Sequence, residues 1–285
     1  GLQIQNIPRG KEVKSTLRAD AGFLLGESDL EQAESRDTAH ISGDTALISA
    51  VSGTRDFHCV NASAFFGVSY EQIYDDTTSK TKDKKLRDLA KRVNHGANYN
   101  MGPGVMLDTM GPKYVGEAKR LLRLAPKLPL RDVCKYLLGV YEKTYPRVKK
   151  DWNGSIIKSI TVGGMLVSPL GWTRKFFGKP NENKQHLNAA VAHGPQNLSV
   201  GIINRCFFRI WKDQIYGDLR GKFRIKAQIH DSILFQYRDT SPDVPGIVQA
   251  RMRQEISVTD TFGITRSMVI PPDLAAGKMR WSELK

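Results

Sequence analysis

The stretch LRDLAKRVNHGANYN, residues 86–100, sets Arg87, Lys91, His95 and Tyr99 at successive steps of four. Residues four apart lie one above the other on a helix, and the stripe drifts by roughly 40° per step for a turn of about 3.6 residues. Two cations, an imidazole and a phenol therefore share one slowly turning ridge that faces a common partner. No acid interrupts the ridge, since Asp88 points elsewhere. The spacing predicts a helix over 84–99. A solvated basic face and a ridge that grips an anion both fit it, and the rest of the chain has to choose.

The chain has 285 residues, long enough for one large domain or two interleaved ones around a sizeable core. Its 43 Lys and Arg against 29 Asp and Glu give a net charge of +14. An excess of this size suggests a polyanionic partner, nucleic acid before membrane, because no long apolar span or amphipathic anchor accompanies it. Cys59, Cys134 and Cys206 stand isolated, with neither zinc spacing nor a disulfide framework, and read as reduced, structural residues of a cytoplasmic protein. No secretory signal is visible. The chain begins at Gly1 and its first methionine is Met101, so it reads as a processed or engineered piece of a longer product.

Residues 11–30 read as strand-like, with GFLLGESDL as an apolar run that breaks into acids. Helices are expected over 31–50, 56–66, 84–99, 115–124 and 130–144, with GPG at 102–104 as a stop. GGMLVSPLGWTRKFF, 163–177, predicts a hairpin turning at Pro169–Gly171. A long helix is expected over 196–216, two strands over 224–238 turning at His230–Ser232, a helix over 244–258 and a last strand over 266–270. Strands thus flank a helix-rich middle, an α+β pattern.

Two acids stand out by position. Asp29 ends the apolar run GFLLGES, and Asp231 sits at the tip of a hydrophobic hairpin between Ile229 and Ile233. A carboxylate in apolar surroundings is costly unless it is paired or holds a metal. Each acid alone also fits a turn or cap. The two together, with a basic ridge elsewhere, suggest Mg²⁺ ions gripping phosphates.

At this point the chain resembles the polymerase domain of the A-family DNA polymerases. SDLEQAESR, 28–36, is similar to that family's first motif, DYSQIELR, through Asp29, Gln32, Glu34 and Arg36. RDLAKRVNHGANYNMG, 87–102, resembles the second, RxxxKxxxFGxxYG, through Arg87, Lys91, Gly96 and Tyr99. QIHDS, 228–232, resembles the third, VHDE, through His230 and Asp231. LQIQNIP at 2–8, DFH at 56–58, Gln196 in GPQ and a terminal GKMRW follow the family in order. The details suggest a bacteriophage-type member.

The resemblance implies a right-hand fold. Its palm, an antiparallel sheet, would be built from 1–39 and 191–285, with helical fingers over 40–190; the thumb and exonuclease domain would be absent from this chain. It implies DNA synthesis from dNTPs on a primer–template, in the cytoplasm of a bacterial or phage-infected cell, with two Mg²⁺ ions roughly 3.5–4 Å apart. Asp29, Asp231 and the Leu30 carbonyl would hold the metals. Gln32, Glu34, His58, Arg87, Lys91, His95 and Tyr99 would bind the nucleotide, and Arg36, Gln196 and His230 the DNA. A separate chain could supply the thumb.

Three departures qualify the match. Ser232 stands where the family carries Glu, which is similar to the single-subunit phage RNA polymerases and implies weaker metal affinity. Glu34 favours DNA, because with Tyr99 it would fill the space a 2′-hydroxyl needs. His95 replaces an aromatic residue and Asn100 a glycine. RNA synthesis and a non-catalytic nucleic-acid-binding remnant are the alternatives.

Overall fold

The computed structural model describes residues 10–180 and 182–284, so the LQIQNIP segment lies outside the described residues. The chain opens with α1 (Lys11–Thr16), β1 (Phe23–Leu30), α2 (Ala33–Ser42), α3 (Thr45–Ser52), α4 (Phe57–Phe66) and α5 (Tyr70–Ile73). The short strands β2 (Tyr74–Asp75) and β3 (Lys80–Thr81) precede α6 (Lys84–Asn98), α7 (Pro103–Met110), α8 (Pro112–Leu121) and α9 (Leu130–Thr144). A π-helical turn, Val148–Asn153, leads into α10 (Gly154–Val162), β4 (Met165–Val167), β5 (Thr173–Lys175) and the 33-residue α11 (Lys184–Tyr216). The chain closes with β6 (Phe223–Ile229), β7 (Ser232–Arg238), α12 (Val244–Met252), β8 (Glu255–Thr259), β9 (Thr265–Val269), β10 (Pro272–Lys278) and a 3-10 turn, Trp281–Glu283.

Two compact units emerge. One comprises residues 1–33, 196–257 and 267–285, the other 34–195 and 258–266.

The first unit is built on a four-stranded sheet in the order β10-β1-β7-β6, with every pairing antiparallel. As an inner strand, β1 is almost wholly buried, which is why FLLGESDL reads as an apolar run rather than an alternating one. Leu25, Leu234 and Ile229 pack with Trp281 from the C-terminal turn. Helix α12 buries Val244, Val248 and Met252, one stripe at steps of four, and packs on β1 and β10.

Gly26 lies opposite Phe235 across the β1–β7 ladder, and a Cβ there would come within 2.4 Å of the ring. Phe235 is fully buried and flanked by Phe223 and Tyr237, so the ring has nowhere to swing. Gly26→Ala is therefore expected to destabilise the fold by about 2 kcal/mol through overpacking. Denaturant titration checks this, and adding Phe235→Leu should recover most of the loss; an unaffected midpoint for the single variant would refute it.

The second unit is helical. In α6, Leu86, Leu89, Ala90, Val93 and Ala97 form the buried stripe, which leaves Lys91 and His95 exposed and Arg87 half-buried on the opposite side. This stripe packs on α4 and α9, whose buried residues include Phe57, Phe65, Leu137 and Tyr141. Between α2 and α3 the chain turns at Gly43, whose φ of 66° suits glycine, and Asp44 caps α3 by accepting from the Leu47 N–H at 2.9 Å. The helix expected over 31–50 is thus two.

Other expectations are corrected by tertiary context. Residues 11–16 form a helix rather than a strand, packed on the 3-10 turn with Lys14 Nζ 4.2 Å from the Trp281 ring centre. GPG at 102–104 starts a helix instead of ending one: Gly102 is the N-cap of α7 and Pro103 its first residue, where a missing N–H is harmless. The long helix begins at Lys184 and runs through Pro195, which removes one backbone donor and crowds the Val191 carbonyl four residues back, a cost offset by the burial of Val191 and Leu198 on either side. The helix expected to reach residue 258 stops at Met252. EISVT then alternates buried Ile256 and Val258 with exposed neighbours as β8. Strand β10 went unrecognised because PDLAAGK carries Pro, Asp and Gly, which an edge strand tolerates.

Candidate active site

In the sheet unit, Asp29 is the penultimate residue of β1 and stands opposite Ser232 across the ladder. The Leu30 N–H donates to the Asp231 carbonyl at 3.1 Å, so the two acidic positions are held by one strip of antiparallel backbone. Asp231 belongs to the two-residue connection between β6 and β7, with His230 before it at a φ of 54°. Gln32, just past β1, has a φ of 53°, and its Oε1 is buried without a hydrogen-bond partner. Left-handed backbone at a non-glycine residue persists only where the surroundings over-determine it, and such residues gather at functional sites. Here they flank both acids. His230 is exposed, which excludes a buried structural role for its ring. Gln196 is exposed on α11.

Carboxylate and carbonyl oxygens are the donors a hard cation takes, and Mg²⁺ commonly binds through one or two carboxylates with waters and phosphates completing its shell. Asp29, Asp231 and Leu30 fit that chemistry. Among the described residues no group of three or more His, Cys, Asp or Glu side chains converges as a metal site.

In the helical unit, the ridge meets acids from other elements that its own sequence does not contain. Asp56, which also caps α4 through the Cys59 N–H, accepts two hydrogen bonds from Arg87, from Nε at 3.1 Å and Nη2 at 2.9 Å. Burial alone would raise the Asp56 carboxyl, but the Arg87 guanidinium and the Cys59 N–H hold it below its usual range. The Arg87 fork is thus already engaged. Lys91 is exposed. His95 Nδ1 lies 3.2 Å from Glu34 Oε2, and its ring stands edge-on to Tyr99 with centres 5.0 Å apart. Burial, with the Glu34 carboxylate adding to it, pushes the Tyr99 phenol well up, so it stays a neutral hydroxyl. Glu34, His95 and Tyr99 therefore form one cluster. Arg36, expected against DNA, is only 8% exposed, which leaves its guanidinium little surface to offer a phosphate.

His58 is buried at the end of a polar chain. The Tyr145 hydroxyl donates to Asn61 Oδ1 at 2.6 Å, Asn61 Nδ2 to Asn94 Oδ1 at 2.7 Å, and Asn94 Nδ2 to His58 Nδ1 at 3.0 Å. With Nδ1 accepting, the ring proton sits on Nε2. Burial first, then the Arg87 charge, lower its pKa from 6.5 to about 4. His58 is thus a neutral donor at physiological pH rather than a cation. As pH falls below 6.5 the unfolded chain takes up a proton that folded His58 refuses until about 4, so stability drops across that window. Between pH 7 and 4.5, the wild type is expected to lose about 2–3 kcal/mol more than His58→Gln. Urea titrations at both pH values test this, and parallel losses would refute it.

Sequence reading missed Asp56, Asn61 and Asn94 as supports. The signal for Asn94 was there: it interrupts the apolar stripe of α6 between Val93 and Ala97, where an amide has to find a buried partner. Asn100 is also explained. It adopts a φ of 54° just past α6, with its N–H on the Ala97 carbonyl and the Met101 N–H on the Gly96 carbonyl, a Schellman cap in which asparagine is the usual substitute for glycine.

Comparison with known proteins accords with this fold. The chain is 24% identical over 264 residues to DNA polymerase I of Caldicellulosiruptor bescii, covering 90% of this chain and 28% of that protein. It is 36% identical over 238 residues to the thermostable DNA polymerase I of Thermus thermophilus, covering 82% of this chain and 25% of that protein. The chain therefore spans about a quarter of the length of these relatives. The solved POL domain of Pol1 from M. smegmatis, in complex with DNA primer-template and dNTP, has a similar fold, with a TM-score of 0.74 at 20% identity over 99% of this chain and 45% of that one. These relatives are bacterial and lend no support to a bacteriophage-type assignment. Residues 2–265 match the family model of DNA polymerase family A, and with the antiparallel sheet and helical unit in place, the chain belongs to that family.

Proposed function

We propose that this chain is the palm and fingers of a DNA-directed DNA polymerase, transferring nucleotides from dNTPs to a primer 3′ end on a DNA template. The observation that carries this reading is the single strip of β1–β7 backbone that holds Asp29 and Asp231 together. The sheet unit is read as the palm and the helical unit as the fingers. The net charge of +14 suits a nucleic-acid partner, and binding should weaken steeply with salt. No helix among the described residues is long and apolar enough to cross a membrane, and the cytoplasm is the proposed setting.

Asp29, Asp231 and the Leu30 carbonyl would hold two divalent cations, which when bound make the primer hydroxyl a better nucleophile and support the pyrophosphate leaving group. The remaining work falls to the chain's own side chains. Lys91 offers the triphosphate a mobile point charge, and Arg87 a planar fork shared with Asp56. Neutral His58 donates through Nε2. His95 would stack against the sugar and base, with Tyr99 edge-on to its ring, and Gln32 would contact the nucleotide from the sheet unit. Gln196 and His230, both exposed, meet the primer–template.

The alternative of RNA synthesis is disfavoured by Glu34, which clusters with His95 and Tyr99 and on this reading would fill the space a 2′-hydroxyl needs. Primer extension at low salt with dNTPs and rNTPs in parallel tests both readings. Wild type should use dNTPs, and Glu34→Ala should raise relative rNTP use by about tenfold to a hundredfold. Equal use of both sugars by wild type would favour the RNA polymerase reading; no extension of any kind would favour a binding remnant, or a need for the segments its relatives carry beyond this region.

A further inference from the structure

Glu27 is the acid that neither the motifs nor the proposed roles use. It is only 6% exposed, in the middle of β1, two residues before Asp29 and so on the same face of the strand. Both its oxygens are engaged. Ser232 Oγ lies 3.0 Å from Oε1, and the Trp281 indole N–H donates to Oε2 at 2.9 Å. Ser232 Oγ also lies 3.1 Å from the Ile229 carbonyl, on the near side of the turn that carries Asp231. One buried carboxylate thus straps three parts of the sheet unit: β1 beside Asp29, the first residue of β7 beside Asp231, and the C-terminal turn.

A carboxylate buried this deeply is retained at a cost unless its charge or its geometry is used. We propose that Glu27 is a positioning residue for the Asp29–Asp231 pair. From β1, it supplies the third negative charge that a Ser at 232 cannot, and it holds the β7 end of the turn through the Ser232 hydroxyl. The inference rests on the reading of Asp29 and Asp231 as cation ligands. Glu27 is not proposed as a ligand, because both its oxygens are turned to partners within the fold, Oε1 to Ser232 and Oε2 to Trp281. Its effect on a cation is exerted through the field and through the placement of its neighbours, as with outer-shell groups in metal sites generally.

The swap follows from the same geometry. A glutamate at 232 would face Glu27 at hydrogen-bond range, so Ser232→Glu alone should harm the site, whereas Glu27→Ser with Ser232→Glu moves the acid from one strand to its neighbour and should restore it.

The test is Mn²⁺ binding to the full chain without DNA or nucleotide, read from the electron paramagnetic resonance signal of free Mn²⁺, with thermal melting alongside. Glu27→Gln keeps an acceptor for the indole and a hydrogen-bond partner for Ser232. It is expected to melt as wild type while binding Mn²⁺ about tenfold more weakly. Ser232→Ala, which removes one hydroxyl, should weaken binding in the same direction, and the double exchange should return it to within about threefold of wild type. Unchanged Mn²⁺ affinity in both Glu27→Gln and Ser232→Ala would overturn the inference while leaving the metal reading intact. A wild type that binds no Mn²⁺, or binds it equally well as Asp231→Asn, would overturn the metal reading and this inference with it.

Discussion

Asp231→Asn is expected to lower the single-turnover rate of primer extension by about three orders of magnitude while leaving the melting temperature within a degree or two of wild type. The two halves of that expectation have different physical sources. Asparagine has nearly the shape of aspartate and is at home in turns, so the two-residue connection between β6 and β7 can keep its backbone. The hydrogen bond that registers it, from the Leu30 N–H to the Asp231 carbonyl at 3.1 Å, involves no side chain. What is lost is a negative charge and, on the proposed reading of Asp231 as a cation ligand, the transition-state stabilisation that a bound divalent cation would provide. A rate within tenfold of wild type, on a folded variant, would remove Asp231 from the catalytic machinery. A large fall in melting temperature would mean that the charge serves the fold instead.

Arg87→Ala and Lys91→Ala are expected to separate stability from nucleotide binding. The two residues share the ridge and look equivalent in sequence. In the structure Arg87 is 27% exposed in its side chain and donates from both Nε and Nη2 to one oxygen of Asp56, itself 13% exposed, whereas Lys91 is exposed to solvent. Removing Arg87 leaves a half-buried carboxylate unpaired at the N-terminus of α4, which should cost about 1–3 kcal/mol of stability. Removing Lys91 should cost less than about 0.5 kcal/mol. If Lys91 meets the triphosphate as proposed, the change deletes a charge-assisted contact and should raise the KM for dNTP by about tenfold to a hundredfold. Denaturant titration and steady-state kinetics on both variants decide the matter. Equal stability losses, or an unchanged KM for Lys91→Ala, would show that the ridge does not divide its work this way. Asp56→Asn should reproduce part of the Arg87→Ala destabilisation, since it breaks the same pair from the other side.

Much of the sheet and of the ridge was legible beforehand, for a reason that particular residues make plain. The α6 stripe of Leu86, Leu89, Ala90, Val93 and Ala97 repeats with the helical period, and its complement has to face outward. The turn at His230–Asp231 separates two β-prone arms that alternate well enough to pair, and the β9 region likewise carries β-prone residues. Where the reading failed, a local rule was outweighed by distant contacts. The helix expected from 196 starts at Lys184 and carries Pro195 in its interior, and PDLAAGK, lying past the last strand expected over 266–270, is anchored along β1 from Leu25↔Lys278 to Leu30↔Pro272. Propensity is a weak prior that burial overrides.

The sequence by itself determined what depends on neighbours along the chain. It placed the two acids at the end of an apolar strand and the tip of a hairpin, set Arg87, Lys91, His95 and Tyr99 on one ridge, and carried the ordered motifs that mark the family. Tertiary structure alone decided the partners that side chains meet across tens to hundreds of residues. Asp56 on Arg87, Asn94 on His58, Glu34 on His95, and Trp281 on Glu27 from 254 positions away are each invisible to periodicity, because a hydrogen bond depends on where two atoms arrive in space and not on their separation along the chain. Those contacts set the His58 ring proton on Nε2, occupy the Arg87 fork and engage a third, buried carboxylate beside the two that the motifs announce.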